Sequence, residues 1–382
     1  MRSSSSDDQI YDLEKRESGE TDPTEDKVSI SDISKRGYQL LKENFIDKAE
    51  DCFNKILEID EINNYALVGL GDAARKKRDH KRAVTYYQTC LVHHPGNNYA
   101  LFGLADCYKA LNQYKQAIKI WEQYLDHDDS NVTVLTRVAD AYRKVKDFRR
   151  SKEIYERALE LEKDNAYALI GLGHLHYDFR EYEDALEYWG RMLEVHGNNV
   201  DIRVLTSIGN CYRKLKNFEQ GLVSFQKALD LEPANFYALF GMADCYRGLN
   251  EDEKSLEYWQ KILGRDPNNK VILTRAGDAY RAMESYDEAE TYYKNALNIE
   301  FDEYAILGLA LINKMRGNYR VAIDSLQGLL KNDVKNHRLY TEIAECYMHL
   351  GEKEEAVSIL SDFQRLGIRN SYVQGLLDDI HK

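Results

Sequence analysis

Along most of the chain, apolar residues recur three and four positions apart, the spacing that gathers them on one face of an α-helix. The segment NSYVQGLLDDIHK (370–382) follows the rule in miniature. Asn370 or Ser371 supplies an N-cap, and Val373, Leu376, Leu377 and Ile380 form one stripe, which predicts a short amphipathic helix. A longer period overlies the short one. Small residues stand at Ala49, Ala83, Ala117, Ser151, Ala185, Gly221, Ser255, Ala289, Ala322 and Ala356, and seven of the nine steps between them are 34 residues. A second small residue lies twelve positions before each, from Gly37, Gly71 and Ala105 through to Ala344. A large one lies four after each: Phe53, Tyr87, Trp121, Tyr155, Trp189, Phe225, Trp259, Tyr293, Leu326 and Leu360. The small residues mark close approaches of two helices, and the large residue on the same face fills the neighbouring gap. Loops such as HHPGNN (93–98) and RDPNNK (265–270) hold the turn residues that separate one helix pair from the next. A single pair cannot bury its apolar face alone, so pairs are expected to stack.

This ladder resembles the tetratricopeptide repeat family, whose 34-residue helix–turn–helix unit carries a G/A…Y…A-x-x-x-F…P pattern. The resemblance spans about residues 30–370 as ten repeats. It implies an all-α fold, a right-handed superhelical solenoid, with the helix at 371–382 as its C-terminal cap. The family's aromatic at position 11 stands here as Tyr108, Tyr142, Tyr212, Tyr246, Tyr280 and Tyr347. The chain departs from the pattern at position 4, where Leu67, Leu101, Leu135 and Leu169 replace Trp, and in the last two repeats, with Asn313, Leu326 and Leu360. Two repeat types alternate. Trp121, Trp189 and Trp259 occur in every second repeat, and the intervening ones read VLTRVADAYRK (134–144), VLTSIGNCYRK (204–214) and ILTRAGDAYRA (272–282). The word YALFGLADCY (99–108) returns as YALFGMADCY (237–246), and duplication of a two-repeat block is the simplest account.

Composition narrows the function classes. Of 382 residues 43% are hydrophobic, and only four are proline, which suits a helical chain. A net charge of −13 repels phosphate backbones, so no nucleic-acid partner is expected. No run of 18 apolar residues exists, so no membrane insertion is expected. Residues 1–29 hold nine acids against four bases, many serines and few apolar residues, and read as a disordered acidic tail. The same segment has no apolar signal region, so a cytoplasmic location is expected. A tail (1–29), repeats (30–370) and a capping helix (371–382) leave no room for a separate catalytic domain.

Candidate chemistry is sparse. No phosphate-binding loop, metalloprotease motif or nucleophile elbow is present. Cys107, Cys211, Cys245 and Cys346 share one repeat position with Ala73, Ala141 and Ala279, and read as small packing residues. In GHLHYD (173–178), His174 and Asp178 share a helical face, while His176 takes a place that other repeats give to Tyr. Two side chains do not make a metal site, so no catalytic residue, cofactor or metal is expected.

The resemblance also implies a binding groove, because in the family the first helix of each repeat lines the concave face through positions 2, 5, 9, 12 and 13. Position 2 gives Tyr65, Tyr99, Tyr167, Tyr237 and Tyr304, and position 5 gives Phe102 and Phe240 with threonines between. Position 9 gives Asp72, Asp106, Asp140, Asp244 and Asp278, with His174 and Asn210 as exceptions. Position 12 gives Arg75, Lys109, Arg143, Arg213, Arg247 and Arg281, three residues after the acid and able to pair with it along the helix. These residues read as a salt-bridge ladder that solvates the wall and as a polar rail with aromatic steps for an extended peptide, two readings that do not exclude each other. A family subset that clamps a C-terminal carboxylate uses Lys at position 5 and Asn at position 9, and this chain lacks that pattern. The expected function is a non-enzymatic scaffold or adaptor that binds a protein or peptide partner between repeats 2 and 8. The alternatives are a self-associating (homo-oligomeric) assembly or secretion-type chaperone, and a regulatory subunit of an enzyme complex.

Overall fold

The structure, a computed structural model, describes residues 29–197 and 201–381. The described residues form 21 α-helices and no strand. Of the N-terminal acidic segment, residues 1–28 lie outside the described residues, and Ser29 is the N-cap of the first helix.

The chain divides into two compact units, residues 1–200 and 201–382. The division falls at the one step of 36 in the 34-residue ladder, between Ala185 and Gly221. In the first unit, five repeats are the pairs α1 (Ile30–Lys42) and α2 (Ile46–Ile59), α3 (Asn64–Lys76) and α4 (His80–His93), α5 (Asn98–Ala110) and α6 (Tyr114–Leu125), α7 (Val132–Lys144) and α8 (Phe148–Leu161), and α9 (Ala166–Asp178) and α10 (Tyr182–His196). In the second, the pairs are α11 (Ile202–Lys214) and α12 (Phe218–Leu231), α13 (Phe236–Gly248) and α14 (Asp252–Leu263), α15 (Lys270–Ala282) and α16 (Tyr286–Ile299), α17 (Glu303–Met315) and α18 (Tyr319–Leu330), and α19 (His337–His349) and α20 (Lys353–Arg365), followed by α21 (Ser371–His381). Within each unit every helix packs on its neighbours in sequence, and first helices also touch first helices, as α3 does α1 and α5.

Local signals set the element ends. Asn63, Asn97, Asn131, Asn165, Asn235 and Asn269 cap first helices, each side chain accepting from the amide three residues on. Each turn from first to second helix passes through one left-handed residue, such as Asn112 (φ 59°), Lys146 (φ 65°) or Gly317 (φ 78°). That residue reverses the chain after a single helix end.

In five repeats the large residue, Phe53, Tyr87, Tyr155, Phe225 or Tyr293, sits in a slot between two first helices. Phe53 lies against Gly37 of its own repeat and Gly69 of the next, Tyr87 against Gly71 and Gly103, and Tyr293 against Gly277 and Gly308. A Cβ on Gly103 would stand 2.4 Å from Tyr87 Cζ, so glycine is required there by space. Trp121, Trp189 and Trp259 are fully buried, as are Leu326 and Leu360, which replace the aromatic in the last repeats. Asn370 caps α21, whose Val373, Leu377 and Ile380 bury against Tyr340, Leu360 and Phe363.

Candidate functional site

The face made by the first helices carries most of the residues singled out in the sequence. Its acids and bases form a ladder with two kinds of rung. Within a helix, Arg75 pairs with Asp72 (3.0 Å), Arg143 with Asp140 (2.7 Å), Arg247 with Asp244 (2.6 Å) and Arg281, more loosely, with Asp278 (3.8 Å). Between four pairs of neighbouring repeats, the base at position 12 reaches the acid at position 9 of the next first helix. Arg75 meets Asp106 at 3.5 Å and Lys109 meets Asp140 at 3.2 Å. Arg213 meets Asp244 in the same way, and Lys314 meets Glu345. Where His174 takes the place of the acid, Arg143 turns to Asp178 instead, at 2.6 Å. One expected pair does not form. Lys109 leaves Asp106 for Asp140, and Asp106 is held by Arg75 and by Arg137, whose guanidinium also lies 4.9 Å over the Phe102 ring.

The ladder is tied to the core rather than standing clear of it. Asp72 accepts a hydrogen bond from the buried Tyr87 hydroxyl (2.6 Å), and Asp278 accepts one from Tyr293 (2.8 Å). Asp244 is only 6% exposed. Burial pushes its carboxyl up, but the hydrogen bonds and charges of Arg247 and Arg213 outweigh that and hold it below the usual carboxylate range. Asp140 is held low in the same way, burial being offset by Lys109 and Arg143. Phe102 and Phe240 are also half in the core, Phe102 against the Trp121 cluster and Phe240 edge-on to Trp259 at 5.0 Å.

The tyrosines at position 2 differ from all of these. Tyr65, Tyr99 and Tyr167 of the first unit are 55%, 41% and 71% exposed, and Tyr237 and Tyr304 of the second are 70% and 75% exposed. Five large amphipathic rings therefore stand in the open at one repeat register.

Other chemistry-bearing groups are accounted for by packing. Burial raises the thiols of Cys107 and Cys245 to about 12 and those of Cys90 and Cys346 to about 11, so they are inert at neutral pH. His174 rests edge-on against Trp189 at 5.2 Å, and burial, with the Arg143 charge, lowers its pKa to about 4. His176 is 3% exposed, stacks on Tyr188, and its Nδ1 lies 2.7 Å from Glu181 Oε2 and 3.9 Å from Asp184 Oδ2. Its Nε2 is buried without a partner, so the ring lacks the second hydrogen bond that orients a metal-ligating imidazole. Among the described residues no helix is long and apolar enough to cross a membrane.

Comparison with known proteins identifies the repeats. Family signatures described as tetratricopeptide repeat match residues 74–135, 137–197, 202–235, 237–269, 272–303 and 314–369. A search of the curated proteins finds no match. Among solved structures, the chain is similar to a tetratricopeptide repeat protein from Parabacteroides merdae, at 15% identity and TM-score 0.47, over 75% of this chain and 99% of that one. It is similar to pilF of Pseudomonas aeruginosa at 18% identity and TM-score 0.47, over 55% and 94%. It is also similar to YrrB, described as a repeat protein with an unusual peptide-binding site, at 20% identity and TM-score 0.44, over 49% and 95%.

Proposed function

The chain belongs to the tetratricopeptide repeat family, and from that premise we propose that it is a non-enzymatic interaction scaffold that holds an extended segment of another protein against the first-helix face of its repeats. The observation that carries this reading is the exposed row Tyr65, Tyr99 and Tyr167, with Tyr237 and Tyr304 at the same register in the second unit. The ladder acids are already satisfied by two cations or by a buried tyrosine, so they shape the wall. The tyrosines supply the contact area at low entropic cost, having few rotatable bonds. Half-buried Phe102 and Phe240 are the floor between them.

The test is affinity for a peptide selected from a random display library on the intact protein. Tyr65→Ala, Tyr99→Ala and Tyr167→Ala combined should weaken binding tenfold or more, which is about 1.4 kcal/mol, with circular dichroism unchanged because these rings are outside the core. Unaltered affinity by calorimetry rejects the reading. A second reading, self-association, draws on other residues. Ile59, Leu161 and Val195 in the first unit, and Leu231, Ile299 and Leu366 in the second, are exposed aliphatics at one register near the ends of the second helices. A concentration-dependent dimer in sedimentation equilibrium, lost on Leu161→Asp, would favour it.

A further inference from the structure

The turns from first to second helix carry a charge pattern that neither the fold nor the ladder requires. In repeats 2, 3 and 4 these turns are residues 76–81, 110–115 and 144–149, and they hold eight bases against two acids. The loops at the other end of the same helices, 58–63, 92–97, 126–131 and 160–165, hold nine acids against one base, with none of the acids in 92–97. The basic turns lie side by side on one edge of the first unit, because the helix ends entering them are cross-linked by the Arg75–Asp106 and Lys109–Asp140 rungs. Six of the bases, Lys76, Arg78, Lys81, Lys115, Lys144 and Arg149, are exposed, and among the described residues none has a carboxylate at ion-pair distance.

Helix dipoles explain part of this strip and contradict the rest. A base at the end of a first helix, such as Lys76 or Lys144, favours the negative C-terminus. Lys81, Lys115 and Arg149 are the second residues of α4, α6 and α8, where positive charge is unfavourable. At the same place six of the other helices carry an acid: Asp47, Glu183, Glu219, Glu253, Asp287 and Glu354. The exception, Arg320, is paired with Glu352. Asp79 and Asp147, the N-caps of α4 and α8, return part of the favourable charge, and α6 has no side-chain cap. The three consecutive inversions still leave unpaired positive charge along one edge, which points to a ligand that supplies negative charge.

We infer that the basic turn edge of repeats 2–4 is a docking site for an acidic polypeptide segment. Neighbouring helices stand about 10 Å apart, so three turns span about 20 Å, the reach of about six extended residues. The strip ends at acids on both sides, Glu43 and Asp47 before it, Asp47 being paired with Lys77, and Glu181, Glu183 and Asp184 after it. A short acidic segment fits between these limits. A nucleic acid carries its charge past both ends into the acids, within a Debye length of about 8 Å. The site is separate from the tyrosine face, so its success or failure is read independently of the proposed function.

The probe is a fluorescein-labelled peptide of alternating Glu and Gly, about twelve residues long, followed by anisotropy with the intact protein at low and physiological salt. Binding should be measurable at low salt, weaken as salt rises, and survive the Tyr65, Tyr99 and Tyr167 alanine variant. Lys81→Glu, Lys115→Glu and Arg149→Glu combined should weaken it at least tenfold, while the melting temperature holds or rises, because each change restores the favoured sign at a helix start. The matching glutamine variant should weaken binding by less and shift melting in the same direction by less. No binding by the wild type, equal binding by the glutamate variant, a lowered melting temperature in that variant, or tighter binding of a single-stranded oligonucleotide of equal charge would each overturn the inference.

Discussion

Gly103 and Tyr87 show how much a single position decides. The 34-residue ladder made the large aromatic and its own small partner, Gly71, legible from sequence, but not the second wall of the slot. That wall is Gly69, Gly103, Gly171, Gly241 or Gly308, contributed by the first helix of the next repeat. Its signal was present as a glycine six residues into those helices, and it became readable only once the packing partner was known. Gly103→Ala should therefore cost about 1–3 kcal/mol by overpacking, and Trp189→Ala about 3–5 kcal/mol by leaving a cavity, both measured by urea denaturation. A neutral Gly103→Ala would mean that Tyr87 can withdraw. His174 gives a residue-scale pH effect. Its folded pKa, about 4, is below its unfolded value of about 6.5. The unfolded chain therefore binds more protons in that window, and stability falls as pH drops from about 6.5 towards 4. His174→Asn should flatten this slope in denaturation midpoints taken across the range, and an unchanged slope would assign it to other groups.

At the scale of elements, pairing along one helix was legible and pairing between helices was not. The Asp72–Arg75, Asp140–Arg143 and Asp244–Arg247 rungs follow from a spacing of three residues. The Arg75–Asp106 and Lys109–Asp140 rungs depend on which first helices are neighbours, and sequence spacing alone is silent on that. The sequence also gave no sign that Asp72 and Asp278 hold buried tyrosine hydroxyls. Reversing a ladder acid is consequently a stability experiment before it is a binding experiment. Asp244→Lys should lower stability by about 3–5 kcal/mol, since it strands Arg213 and Arg247 around a third positive charge. A loss below about 1 kcal/mol in chemical denaturation would show the ladder to be a solvated surface network. Asn165→Ala, which removes the cap of α9, should cost about 1 kcal/mol by the same measurement.

For the whole molecule, ten helix pairs in two compact units give a long series of equivalent positions on which contacts can recur. The repeat count was readable because small, large and turn residues all obey one period, and the C-terminal helix because Asn370 and the stripe Val373, Leu376, Leu377 and Ile380 mark a capped amphipathic segment. The candidate site was readable only in outline. Of its residues the position 2 tyrosines are open to a partner, whereas Asp140, Asp244, Phe102 and Phe240 are engaged in ladder or core. The claim that the first-helix face holds a partner segment is tested most directly by site-specific photocrosslinking. A photoreactive phenylalanine analogue at Tyr65, Tyr99 or Tyr167 should crosslink to the bound library-selected peptide. The same probe at Val92 or Leu161, exposed near the ends of second helices, should not. Crosslinks from Val92 and Leu161 with none from the three tyrosines would contradict the account.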